Sequence, residues 1–140
     1  MTTLNTQRHH ILSLLFAFSI MLISFSCQKA PINGDLDGQW QVMDVTPEPI
    51  DKPIDERIYY CFSLHVCQLS YYDGVFTTGN MSFDGKTLYL DFPNATSIFN
   101  AQKLAQYGIT ENPITFTVEH LDKKSLILRH GDTTVTMRKY

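Results

Sequence analysis

The chain has 140 residues, 44% hydrophobic and 12% aromatic, and carries a net charge of −3 from 11 basic and 14 acidic side chains. That length supports one small domain, and nine Phe, seven Tyr and one Trp supply enough bulk for a core. A mildly acidic chain without a basic cluster argues against nucleic-acid binding and against electrostatic adhesion to anionic lipid.

In chain order, residues 1–10 hold one certain positive side chain, Arg8, and no acid precedes Asp35. Residues 11–25 are apolar apart from Ser13, Ser19 and Ser24. A basic start, an apolar run and small residues at its end describe an export signal. The run is shorter than the ~20 apolar residues a spanning helix needs. Ser26-Cys27 closes it and resembles the cleavage site of a bacterial lipoprotein, although Ser24 stands where an aliphatic residue is preferred and Ile23 lies one step further back. The resemblance implies a signal over 1–26, a lipidated Cys27 with a tether to residue 35, and a folded domain over 36–140. It also implies attachment to the outer membrane. The absence of acids in Gln28-Lys29-Ala30 favours the periplasmic face over the cell surface.

The spacing predicts a first strand over 36–46 carrying Trp40, then a loop with Pro47, Pro49 and Pro53 that cannot continue a sheet. Residues 57–70, rich in aromatic and β-branched side chains, read as one long strand. Asp73-Gly74 and Asp84-Gly85 mark hairpins around strands at 75–83 and 86–92, with Gly79 suggesting a bulge or bend. Residues 95–107 read as the one short helix, with Gly108 placed to stop it. Strands over 114–121, 125–130 and 133–140 follow, turning at Asp122-Lys123 and Gly131-Asp132. Short connections make neighbours antiparallel. The predicted fold is all-β, an up-and-down antiparallel barrel of seven or eight strands whose interior is filled or holds one small ligand.

Gly38-Gln39-Trp40 resembles the Gly-x-Trp signature of lipocalins, and the resemblance implies a basic residue of the last strand packing across the indole, with Arg138 the match. The run from Asn33 to Trp40 after a lipidated cysteine, with the closing Met137-Arg138-Lys139-Tyr140, resembles small lipocalin-like lipoproteins of gut-dwelling gram-negative bacteria, a group whose function is largely unassigned. The chain departs from typical lipocalins in its shorter length, its lack of their disulfide pattern and of a Thr-Asp-Tyr loop, and its mid-chain helix, which is placed to cap or plug the barrel mouth.

Chemistry-bearing side chains are few. Alternation along a single strand at 57–70 puts Cys61, Ser63, His65 and Cys67 on one face, too extended for Cys61 and Cys67 to bridge, since six strand residues span about 20 Å and a disulfide needs Cα atoms within about 7 Å. His65 and Cys67 lack further zinc ligands, and Ser63 with His65 lacks an orienting acid. His120 follows Phe116 and Val118 on an apolar face. The expectation is a non-enzymatic, membrane-anchored barrel without cofactor or metal, binding a small apolar molecule or a protein partner. Phe62, Leu64, Tyr89, Phe116 and His120 are its candidate lining residues. The alternatives are an interaction module with a filled barrel, and a hydrolase built on the Ser63/His65 row.

Overall fold

The computed structural model describes residues 32–50 and 57–140. The expected signal and Cys27 lie outside the described residues. Eight strands, β1 (Gly38–Thr46), β2 (Ile58–Ser63), β3 (Val66–Tyr71), β4 (Gly74–Phe83), β5 (Thr87–Asp91), β6 (Ile114–Leu121), β7 (Ser125–His130) and β8 (Thr133–Lys139), each pair antiparallel with their chain neighbours. Strand β8 returns to pair with β1, so the sheet closes into a barrel and no edge is left open. One helix, α1 (Ile98–Gln106), interrupts the meander between β5 and β6.

Alternation selects the inner wall. Trp40, Tyr60 and Leu69 are successive cross-strand partners on β1, β2 and β3, and all three are fully buried. Leu90 and Ile114, Leu88 and Phe116, and Leu128 and Val135 continue the same wall around the barrel. Three bulges, at Met43, Phe76 and Glu119, each add one residue and so reverse the alternation beyond them. Gly79, expected to mark a bulge or bend, is not the bulge of its strand, which falls at Phe76; it makes room. A Cβ there would run into the Asp91 carbonyl oxygen and the Phe92 ring.

The segment 57–70 is two strands rather than one. Ser63 pairs with Val66 across a two-residue turn of Leu64 and His65, with Leu64 in the left-handed region at φ 56°. Two-residue turns usually declare themselves with Gly or Asn; here the chain puts leucine there, so the strand-forming flanks read straight through it. The turn reverses the parity of every residue after it in this segment. Cys67 pairs with Phe62 and is buried, whereas Cys61 pairs with Gln68 on the other face. Both are free thiols, as expected, because they face opposite sides of the sheet and not because they stand far apart on one strand. The expected row of Cys61, Ser63, His65 and Cys67 does not exist. Leu36, expected in the first strand, sits in a 3-10 turn (Gly34–Leu36) that covers the barrel end beside the start of β1.

Two hairpins share a device. Asp84 accepts from the backbone N–H groups of Lys86 and Thr87, and Asp122 from those of Lys124 and Ser125. These bonds hold both carboxyls below their ordinary value of 3.8, helped at Asp122 by His120. A lowered folded pKa stabilises the fold above the unfolded value, and that stabilisation disappears as pH falls through the folded one. Asp122→Ala is therefore expected to lower Tm at neutral pH and to flatten the acid limb of the Tm–pH curve below about pH 4. Circular-dichroism melts across that range check it; parallel curves for wild type and variant would refute the assignment.

Candidate functional site

The barrel has two ends, closed by different means. At the end where β1 begins, the Trp40 indole N–H donates to the Leu36 carbonyl at 2.8 Å, beneath the 3-10 turn. Lys139 is Trp40's register partner on β8, and its ammonium lies 4.5 Å from the indole ring centroid. The same ammonium donates to the carbonyl oxygens of Asp35 and Asp37. Burial pushes the Lys139 pKa down, and the nearby Asp35 and Asp37 carboxylates oppose that. Gly38 makes the crossing possible. Its φ is +123°, and a Cβ would stand 3.0 Å from Lys139 Cε.

The basic residue across the tryptophan is thus Lys139, not Arg138. Arg138 pairs with Gln41 on the outer face and donates to its side-chain oxygen at 2.8 Å. The signal was present in the sequence, since Thr133, Val135, Met137 and Lys139 share one parity, and that parity is the buried one.

At the opposite end the chain turns inward after α1. Ser97 caps the helix, its hydroxyl accepting from the Asn100 N–H, which starts the helix three residues later than expected. Gly108 ends it as expected, at φ +77°, against Val135, Val45 and Thr133 where a side chain would not fit. This delivers Tyr107 into the barrel, fully buried. Its carbonyl accepts from the Tyr60 hydroxyl at 2.6 Å, and its own hydroxyl donates to the Ser70 carbonyl at 2.9 Å. Its ring stacks on Phe76 and meets Tyr60 edge-on. Burial raises both phenol pKa values, so both remain donors. No motif announced Tyr107; only its place before the stop glycine set it apart.

Of the expected lining residues, Phe62 and Phe116 face the interior and are buried. Leu64 is at the hairpin tip, 48% exposed, and Tyr89 is on the outer wall. The bulge at Glu119 turns His120 outward, where it meets Asp122 at 2.9 Å. The structure does not bring these five together. Ser63 and His65 lie exposed at the end of the β2–β3 hairpin, and burial raises the half-buried Cys61 thiol, which disfavours its thiolate. Among the described residues no cluster of three or more His, Cys, Asp and Glu side chains could hold a metal ion.

Outside the Tyr107 plug, a groove of about 300 Å³ runs between residues 47–50 and α1. Val45, Pro47, Pro49, Ile50 and Ala105 give it apolar walls, with Glu48, Gln102, Thr110 and Thr133 at its polar points. A second hollow of about 250 Å³ lies on another face of the helix, beside Ala101, Leu104 and Asn112.

An eight-stranded up-and-down barrel with a Gly-x-Trp strand locked by a basic residue of the last strand defines a lipocalin-like protein. A family model described as a lipocalin-like domain matches residues 20–140, and the chain belongs to that family. Among solved structures it is similar to a lipocalin-like protein from Bacteroides uniformis, with 27% identity and a TM-score of 0.59 over 76% of this chain and 100% of that one. It is also similar to an uncharacterized protein from Bacteroides eggerthii, with 20% identity and a TM-score of 0.55 over 74% and 98% of the two chains, a likeness of fold alone. A comparison with curated proteins finds no match.

The Lys139 assignment predicts a clear contrast in stability. Lys139→Ala removes a cation from an indole face and two charged hydrogen bonds, and is expected to cost about 1–3 kcal/mol. Arg138→Ala, on the exposed face, should change stability by less than about 0.5 kcal/mol. Urea unfolding followed by Trp40 fluorescence measures both, and the reverse order would restore Arg138.

Proposed function

We propose that this chain is a lipid-anchored, non-catalytic, lipocalin-like protein of the cell envelope that takes a small apolar molecule at the helix-side mouth of its barrel. The observation that carries this is the pairing of a plugged interior with an open, apolar-walled groove directly above the plug. Interior side chains and Tyr107 occupy the space where an eight-stranded barrel of this kind would otherwise admit a ligand. The groove's volume sits at the lower limit for ligand pockets, which fits a compact ligand. Anchoring rests on the lipoprotein-like sequence ending at Cys27, and the periplasmic face of the outer membrane on the lack of acids just after it.

The interaction-module reading draws support from Ile98 and Phe99, which stand 83% and 63% exposed on α1.

Full-length protein titrated with the neutral apolar dye N-phenyl-1-naphthylamine tests the groove. Saturable binding is expected, weakened about tenfold or more by Gln102→Trp, which fills the groove from an exposed position, and little changed by Phe116→Leu inside the barrel. No saturable binding, or loss with Phe116→Leu alone, overturns the site. Cys27→Ser should move the protein from the membrane to the soluble fraction, and the wild-type N-terminal peptide should carry acyl chains by mass spectrometry.

A further inference from the structure

We infer that the end of the barrel opposite the groove is a lipid-facing surface, seated on the bilayer by an apolar edge built from Ile32 and the β2–β3 hairpin tip. The inference rests on the proposed lipidation of Cys27. Asn33, the residue after Ile32, donates from its side chain to the Leu64 carbonyl at 2.8 Å and ties the segment carrying Ile32 to the hairpin tip. Ile32 and Leu64 are 62% and 48% exposed, and Val66, next along the tip, is 41% exposed. Leu64 is the described non-glycine residue with positive φ, in a turn that Asn or Gly would fill with less strain. An aliphatic side chain held in that conformation and pointed at water is explained by neither the turn nor the core. A bilayer interface explains it.

Length decides which end faces the lipid. Cys27 precedes Ile32 by five residues, so an extended tether reaches at most about 18 Å. Strand β1 has nine residues, about 30 Å, or about 23 Å along the axis of a barrel whose strands tilt by the usual amount. The tether is too short to let the barrel invert and place the helix end on the membrane. Ile98 and Phe99 are more exposed than Leu64, yet they belong to the end that points away.

Charge at the tether end allows the contact although the whole chain is acidic. Asp84 and Asp122 turn their carboxylates onto backbone N–H groups of their own turns, and Lys139 lies beside Asp35 and Asp37. Lys86, Lys123 and Lys124 remain exposed on those turns, at the level of the headgroup phosphates. The seating leaves the groove open to the aqueous side.

Full-length lipidated protein is reconstituted into phosphatidylcholine vesicles containing acyl-chain nitroxide lipid, with Leu64→Trp and Phe99→Trp as reporters at exposed positions of the two ends. The added emission of Leu64→Trp should shift to the blue and be quenched by the nitroxide, and that of Phe99→Trp should stay red and unquenched. Near-ultraviolet circular dichroism confirms that both variants keep the wild-type core. Leu64→Asp should increase proteolysis of the tether in vesicles without releasing the protein, since the acyl chains still hold it. A protein that floats with the vesicles but shows equal quenching at the two positions overturns the lipid-facing surface and leaves anchoring intact. A wild-type protein that does not float overturns both.

Discussion

The closure of β8 onto β1 is the constraint on which the rest of this barrel depends, and a single lysine secures it. Trp40 and Lys139 lie 99 positions apart in sequence, and their pairing is register, ring contact and hydrogen-bond anchor at once. The indole provides a face for the ammonium, while the carbonyls of Asp35 in the 3-10 turn and of Asp37 just after it accept its hydrogen bonds. Gly38 leaves the space between them empty of side chain. Each part of the Gly-x-Trp strand therefore has a mechanical reason: a glycine where the lysine passes, and a tryptophan where it comes to rest. Without the crossing, β1 and β8 would present two open edges, the usual liability of a sheet. Contacts this distant in sequence also repay loop-closure entropy late in folding, as expected of barrels generally.

Closing the sheet leaves two ends, and the chain fills them from different sources. One is covered by the 3-10 turn leading into β1, with Leu36 fully buried. The other is entered from outside the meander by Tyr107, whose carbonyl and hydroxyl bond to β2 and β3. Tyr107 carries its polar atoms into an apolar interior and satisfies each of them there, so its burial carries no penalty of unmade hydrogen bonds. The core then has aromatic side chains where a ligand-holding barrel has space. The open space at this end lies at the surface instead, in the cleft between α1 and residues 47–50.

Most of the architecture could be read from the sequence because its hairpins carry Asp and Gly turns and its strands alternate. The exceptions were local inversions of parity. Leu64-His65 turns the chain without a glycine, so two strands read as one, and Cys67 was assigned to the face of Cys61. The extra residue at Glu119 sends His120 to the outside although Phe116 and Val118 precede it on an inner face. The lipocalin resemblance points to Arg138 as the residue over Trp40, whereas the alternation of Thr133, Val135 and Met137 points to Lys139. Period-two reasoning fails after any inserted residue, and nothing local marks the insertion: Met43, Phe76 and Glu119 are ordinary strand residues. The candidate lining set mixes positions on both sides of such inversions, Phe62 with Leu64 and Phe116 with His120, while Tyr89 stands on the face opposite Leu88 and Leu90, on a strand without one. Tyr107 was missed for a different reason, since its role exists only once a helix end and a barrel mouth are brought together.

The two ends are therefore not equivalent, and the difference arises from where the chain enters. The chain enters β1 at one end, and the crossover carrying α1 lies at the other, because β5 and β6 meet their connection there. Lysine-tipped hairpins and the strained Leu64 tip gather at the entry end, and the plug, the cleft and the exposed face of α1 at the far one. Such a division needs no change in the barrel wall. An even number of up-and-down strands places both termini at the same end, so the first residues of β1 and the last of β8 meet beneath one cap. The lock between Trp40 and Lys139 thus holds the sheet shut at the end where the chain enters β1, and the far end is left free to differ.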